Sequence, residues 1–229
     1  MTDRQKIVVI IGSPRGRESV SQALADFLSH KLSDNWVETE MLRVTSTRRS
    51  KETVERSHLM MDSSDAVLLV FPLIADQLPS GMVKFLEDYS LHRKSNPPAK
   101  QQSLMALVTN RFPEASQCDK AVSVARRFAE LEGFLWLGGI TLGETGLLPA
   151  GGNLEKGGRR VSQVLKTLEA AALCLARCVR EPLPLSVLKE ARKPVLPAWL
   201  YRILADWSFR RRAGKNGVRG QMKARPFSA

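Results

Sequence analysis

A doubly wound α/β fold, a parallel sheet with helices on both faces, is what this sequence predicts, and two observations carry the prediction. Ile7 to Ile11, Asp65 to Phe71 and Ser103 to Thr109 are nearly continuous apolar runs without polar alternation, as expected of strands buried on both faces. Amphipathic helical patterns separate them, and strand and helix alternate from Lys6 to Val179, the order that builds parallel sheets through right-handed crossovers. In such sheets ligands bind beyond the carboxyl ends of the strands, where strand order reverses.

Each element follows from a local signal. The first strand, Ile7 to Ile11, leads through a polar turn, Gly12 to Glu18, into a helix starting near Ser19 whose apolar positions Val20, Leu24, Phe27 and Leu28 share a face. Trp36 to Val44 alternates loosely and predicts the second strand. Thr45 to Ser50 is polar loop, and Lys51 to Met61 suits a short helix. The third strand, Asp65 to Phe71, ends at Pro72. Leu73 to Leu78 follows as loop, and Pro79 suits the first turn of a helix carrying Met82, Phe85, Leu86 and Tyr89 inward. Asn96-Pro-Pro-Ala interrupts the chain before the fourth strand, Ser103 to Thr109. Then come a loop, Asn110 to Pro113, a helix, Ala115 to Leu131, and a fifth strand, Leu135 to Leu142. The glycine-rich tract from Gly138 to Gly158 contains no Gly-Lys-Ser/Thr, which excludes a nucleotide P-loop and leaves a flexible connector or lid as its plainest role. A last long helix, Leu154 to Val179, closes the sheet domain. Pro182, Pro184, Pro194 and Pro197 then set a boundary that divides the chain into a domain of residues 1–181 and an arm of residues 182–229.

Composition narrows the function classes. With 229 residues, 43% of them hydrophobic, the chain is long enough for one sizeable core. No run approaches the roughly 18 apolar residues needed to span a bilayer, and the charged start MTDRQK enters a strand without a small-residue cleavage site, so a cytoplasmic protein is expected. The three cysteines, Cys118, Cys174 and Cys178, lack paired-knuckle spacing and an even count, and His30, His58 and His92 fall in separate helices; neither a disulfide frame nor a metal site is expected. The net charge of +12 is uneven. From Lys189 onward there are 11 Lys and Arg against 2 Asp and Glu, a local +9, which leaves +3 for residues 1–188.

The turn Gly12-Ser-Pro-Arg-Gly-Arg-Glu-Ser-Val-Ser21 lacks both the dinucleotide fingerprint and the Walker pattern. It offers three hydroxyls, Ser13, Ser19 and Ser21, with Arg15, around a helix N-terminus. Serine hydroxyls and backbone N–H groups can donate to the oxygens of one phosphate monoester, and the guanidinium and helix dipole add charge. A capping box, Ser19-x-x-Gln22, accounts for Ser19 equally well, and the two roles are compatible. Two strands later, a proline-interrupted apolar loop offers backbone polar groups on a hydrophobic wall, which suits a planar ring with polar atoms along one edge; an ordinary strand-to-helix connector is the alternative.

GSPRGRESVS after the first strand and DAVLLVFPLIADQLPSGMVKFLED at the third resemble the flavodoxin-like FMN-dependent NAD(P)H oxidoreductases, the group of FMN reductases and quinone reductases. The resemblance covers residues 6–145 and implies a flavodoxin-like five-stranded parallel sheet in the order 2-1-3-4-5. It implies that Ser13, Arg15, Ser19, Val20 and Ser21 hold the FMN phosphate, and that Pro72, Leu73, Ile74 and Ala75 follow the edge of the isoalloxazine. Thr109, Asn110 and Phe112 would lie on the ring's other side. Relatives often carry an aromatic residue where Ile74 stands and a glycine where Arg111 stands. The spacings support no Ser-His-Asp or Cys-His constellation, so no catalytic side chain is named; the flavin would carry hydride from NADPH or NADH to a quinone or other small acceptor. A homodimer is implied by the same relatives. A flavodoxin-type electron carrier is disfavoured, because such carriers are shorter and acidic around the flavin.

The last stretch, LPAWLYRILADWSFRRRAGKNGVRGQMKARPFSA, places Trp199, Leu200, Ile203, Leu204 and Trp207 on one helix face ahead of a run of arginines and lysines. Three readings fit: an arm packed on the body or on a partner subunit, an interfacial helix at an anionic membrane surface through residues 197–225, and, last, a nucleic-acid backbone contact. The second function class is accordingly a non-catalytic flavodoxin-like scaffold acting through this arm at a membrane or on a protein partner.

Overall fold

A computed structural model describes residues 5–44, 50–149, 154–157, 159–178 and 197–224. Its centre is a five-stranded sheet, β1 (Lys6–Ile11), β2 (Glu38–Arg43), β3 (Ala66–Pro72), β4 (Ser103–Thr109) and β5 (Leu135–Leu142), in the order β2-β1-β3-β4-β5 with every pair parallel. The expected flavodoxin-like order is therefore the observed one. Helices α1 (Val20–Asp34), α2 (Lys51–Asp62), α3 (Ser80–Ser95), α4 (Asp119–Leu131) and α5 (Arg159–Cys178) are the crossovers and the final cover.

The absence of alternation in β1 has its reason in two cores. Ile7, Val9 and Ile11 pack with Leu24, Leu28 and Leu32 of α1 and Val164 and Leu168 of α5. Val8 and Ile10 pack on the opposite side with Met82 and Phe85 of α3 and Ala121 and Ala125 of α4. Each fully buried aliphatic side chain stabilises by about 1.5–3 kcal/mol, so a polar residue anywhere in β1 is costly.

Three boundaries differ from the sequence expectation by more than one residue. The second strand starts at Glu38, because Trp36 belongs to the end of α1: its N–H donates to the Ser33 carbonyl at 3.0 Å and Val37 N–H to the Leu32 carbonyl at 3.1 Å, a Schellman cap with Trp36 at φ +63° in the left-handed position usually held by glycine. The helix after β4 opens with a 3-10 turn, Ala115–Cys118, before α4. The last helix of the sheet domain likewise opens with a 3-10 turn, Leu154–Gly157, and α5 begins at Arg159.

At the amino ends of the strands, a polar network joins α2, α3 and β4. Asp62 accepts from the Tyr89 hydroxyl at 2.9 Å and pairs with His92 Nε2 at 2.7 Å; Arg93 Nη1 donates to the Tyr89 oxygen at 3.0 Å and to Gln102 Oε1 at 2.5 Å. Burial pushes the Tyr89 hydroxyl pKa well above its ordinary value, the hydrogen bond to Asp62 adds to that, and Arg93 opposes it.

The chain divides into two compact units, Met1–Lys193 and Pro194–Ala229. The boundary expected at residues 181/182 lies outside the described residues. Among its described residues, the second unit contains one α-helix, α6 (Ala198–Lys215), followed by a 3-10 turn, Arg219–Gln221. No described helix is long and apolar enough to cross a membrane.

Candidate functional site at the carboxyl ends of the strands

The register brings the strand ends level: Ile11 pairs with Val70, Pro72 with Thr109, and Thr109 with Leu142. Strand order reverses between β1 and β3, since β2 lies on the far side of β1, and a crevice opens at such a reversal. Gly12, the first residue beyond β1, sits where a Cβ would lie 2.6 Å from Met82 Cε and 3.2 Å from Phe71 Cβ, so a side chain there would displace the end of Met82 and press the turn away from α3.

The turn then presents α1. Ser19 is the N-cap: its hydroxyl donates to the Gly16 carbonyl at 2.7 Å and accepts from Gln22 N–H at 3.1 Å. Half of the expected box is therefore formed. The Gln22 side chain does not return to Ser19; its Nε2 donates to Asp26 Oδ1 at 2.7 Å and its Oε1 accepts from Arg43 Nε at 2.6 Å. Arg43, at the end of β2, thereby gains a guanidinium position beside the first turn of α1. Sequence reasoning missed it, although its place at the last position of a strand in register with Ile11 was a usable signal.

What is left unpaired at this turn matters most. Among the described residues, the N–H groups of Val20 and Ser21 have no acceptor and the Ser21 hydroxyl has no partner. Ser13 Oγ accepts a long bond from Arg15 N–H at 3.4 Å, and its O–H has no acceptor there. Ser13 and Ser21 are buried as residues, while Arg15 is exposed with a guanidinium that meets no described partner. Two N–H donors, two hydroxyl donors and a free guanidinium, with only exposed Glu18 as a carboxylate in the turn, match the donor set a phosphate monoester requires.

The loop after β3 is a two-residue hairpin. Ile74 and Gln77 exchange N–H to carbonyl bonds, both at 3.0 Å, around Ala75 at φ +47° and Asp76 at φ +59°, the geometry of a type I′ turn. Leu73 N–H donates to the Thr109 carbonyl at 2.7 Å and continues the ladder past Pro72. The backbone groups of Ile74 are thus engaged, and at the tip the N–H groups of Ala75 and Asp76 have no acceptor among the described residues. Ile74 is 41% exposed.

After β4, buried Asn110 is a keystone. Its Nδ2 donates to the Glu114 carbonyl at 3.0 Å and to Gln117 Oε1 at 2.7 Å, and its Oδ1 accepts from Phe112 N–H at 3.2 Å. Its carbonyl accepts from Thr145 N–H at 3.1 Å and Thr145 Oγ1 at 2.8 Å. The side chain of Asn110 is committed to the loop, and Phe112, 49% exposed, is the apolar group that the loop presents. Thr109 is buried under the Leu73 bond.

The same bonds correct the reading of the tract from Gly138 to Gly158 over its described first part. Gly143 packs where a Cβ would stand 2.6 Å from the Pro113 carbonyl oxygen, and Glu144 N–H donates to the Phe112 carbonyl at 2.8 Å. Gly143 to Thr145 is a latch on the β4 loop rather than a flexible connector. Sequence reasoning missed this segment as part of the site; its position directly after the fifth strand was the signal.

A model of the NADPH-dependent FMN reductase family matches residues 5–125 of the 229. No curated protein matches the chain in sequence. Similar solved structures include an FMN-dependent NADH-azoreductase from Bacillus anthracis str. Ames Ancestor in complex with FMN, at TM-score 0.57 and 12% identity over 75% of this chain and 100% of that one. A flavodoxin, WrbA-like protein from Agrobacterium tumefaciens gives TM-score 0.54 and 13% identity over 77% and 98%. An NADPH-quinone reductase from P. pentosaceus gives TM-score 0.52 and 15% identity over 73% and 98%. At these identities the three likenesses are of fold. The family match is different in kind: it runs from the start of β1 through β4 and covers more than half of the chain, and by it this chain belongs to the NADPH-dependent FMN reductase family, flavin-dependent oxidoreductases that use FMN with a reduced pyridine nucleotide as donor.

Proposed function

We propose that the three loops at the strand ends hold FMN and that the protein reduces a quinone or other small planar acceptor at the expense of NADPH or NADH. The observation that carries the reading is the unpaired donor set of the α1 turn: Val20 and Ser21 N–H, the Ser13 and Ser21 hydroxyls and the Arg15 guanidinium. In it, Ser13, Arg15, Val20 and Ser21 bind the phosphate, and Ser19 holds the helix end in place. Pro72, Leu73, Ile74 and Ala75 line the ring edge, where the tip N–H groups of Ala75 and Asp76 have no acceptor among the described residues. Thr109 and Asn110 fix the neighbouring loop, which presents Phe112 as an apolar surface for a planar acceptor. The chemistry that FMN supplies when bound is two-electron transfer between the pyridine nucleotide and the acceptor. The chain's own contribution is to bind, orient and exclude water. A quinone is favoured by the exposed Ile74 and Phe112 side chains, and the solved fold neighbour from P. pentosaceus is an NADPH-quinone reductase. The reading places the protein in the cytoplasm, where reduced pyridine nucleotide is supplied, as a homodimer.

An absorbance spectrum of the purified protein incubated with FMN is the test. Near-stoichiometric flavin that bleaches anaerobically with NADPH or NADH and recolours on adding a soluble quinone is expected. A protein that takes up no FMN overturns the reading, and one that bleaches but is not recoloured by quinones overturns the acceptor.

A further inference from the structure

The α6 helix carries its apolar line outward. Trp199, Ile203 and Trp207 recur every four residues and so share one stripe of the helix, with Leu200 and Leu204 on the adjoining row. Trp199, Ile203 and Trp207 are 64%, 58% and 59% exposed, and Leu204 is 37% exposed. Tyr201, on another face, is buried, and Ala205 and Ser208 near it are half-buried. Soluble proteins seldom leave two tryptophans and an isoleucine together in water without something to cover them.

Charge says what covers them. Residues 198–224 contain seven Lys and Arg against one Asp, a local +6. That one acid, Asp206, is paired with Arg210 at 2.8 Å, and the Arg211 guanidinium lies over the Trp207 ring at 5.4 Å. Arg210, Arg211 and Arg212 are exposed and directly follow the apolar stripe.

The geometry points to an anionic bilayer surface as the occupant of this face, with α6 lying in the plane of the headgroups. Tryptophan and isoleucine enter the boundary between headgroups and acyl chains, and the arginines extend along the surface to lipid phosphates and carboxylates. A purely apolar protein groove would leave the +6 charge without a counterpart. A nucleic-acid duplex would supply anions and no apolar layer for the stripe. No described helix can cross the membrane, so the attachment is peripheral. The inference rests on residues 198–224 alone and is independent of flavin binding.

Sedimentation of the full-length protein with vesicles tests it, using phosphatidylcholine alone and phosphatidylcholine with about one third phosphatidylserine, at about 0.15 M salt. Preferential binding to the anionic vesicles with a blue shift of tryptophan emission is expected. Arg210→Ser/Arg211→Ser/Arg212→Ser lowers the partition coefficient about a hundredfold, roughly fivefold for each lost charge. Trp199→Ala/Trp207→Ala, which leaves every charge in place, lowers it at least about tenfold. Both variants are checked for an unchanged melting temperature. Equal binding to both vesicle types, binding unaltered in either variant, or tighter binding to a single-stranded oligonucleotide than to anionic vesicles overturns the proposal. So does a dimer that binds no vesicles and dissociates in the tryptophan variant, which would assign the stripe to a second copy.

Discussion

Replacing Asn110 by alanine separates what this residue holds together from what its neighbours bind. The substitution deletes two donated bonds, to the Glu114 carbonyl and to Gln117 Oε1, and one accepted bond, from Phe112 N–H. Each such bond contributes about 1 kcal/mol net, and a buried partner left unsatisfied costs about 1–3 kcal/mol. Phe112 is half-exposed, so its N–H recovers water, whereas Asn110 itself is 4% exposed and its site is closed. A loss of about 2–4 kcal/mol follows, or about 6–12 °C in melting temperature at about 3 °C per kcal/mol for a chain of this size. Calorimetry of Asn110→Ala measures it, with Arg15→Ala as the contrast: Arg15 is exposed and has no partner among the described residues, so that variant melts with the parent. A melting temperature for Asn110→Ala within about 2 °C of the parent would refute the keystone role. FMN affinity is expected to fall in both variants, by disorder of the Phe112 loop in one and by loss of the phosphate's cation in the other.

Three further outcomes follow from the fold. Trp36→Gly and Trp36→Ala give up the same side chain, but only glycine relieves the left-handed position at the helix cap, so urea unfolding should find the glycine variant the more stable by about 1 kcal/mol; an alanine variant of equal stability would contradict the cap assignment. Cys118 is fully buried, and burial, with Asp119 beside it, pushes its thiol up from 9.0 to about 12. Its neutral form is thus favoured by folding, as is that of Tyr89. A raised pKa contributes stability that is intact below the unfolded value and declines as pH rises past it, so stability should hold through pH 8 and fall between about pH 9 and 12. In a Cys174→Ser/Cys178→Ser variant, the remaining thiol should resist a disulfide reagent at pH 8 until the protein is denatured, and prompt labelling of the native protein would contradict its burial.

Much of the fold was legible because β1, β3 and β4 are apolar almost throughout. Ser103–Thr109 and Leu135–Leu142 were expected at the residues where they occur, being bounded by polar or proline-containing stretches on at least one side. The second strand was misplaced at its start because an aromatic residue in a helix cap looks, in a window of neighbours, like the first residue of a strand; the two cap bonds at Ser33 and Leu32 leave no trace in hydropathy. The hairpin after β3 was illegible for a similar reason. Its turn uses Ala75 and Asp76 at positive φ in place of the Asn-Gly pair that announces a type I′ turn. Long-range partners hid the rest of the site: Gln22 is drawn from its capping role by Arg43, and Asn110 binds Thr145, 35 residues on. The donors of the turn before α1 were visible because they lie within one short run of sequence.

The central claim, that this turn binds the phosphate of FMN, is tested most directly by comparing FMN with riboflavin, which lacks only the phosphate, by titration of the flavin-free protein. The structure predicts a large preference for FMN in the parent, on the order of a hundredfold if two charge-assisted bonds at about 1.5 kcal/mol each are lost, and a preference cut severalfold or more in Arg15→Ala. Equal affinity for FMN and riboflavin in the parent would contradict it.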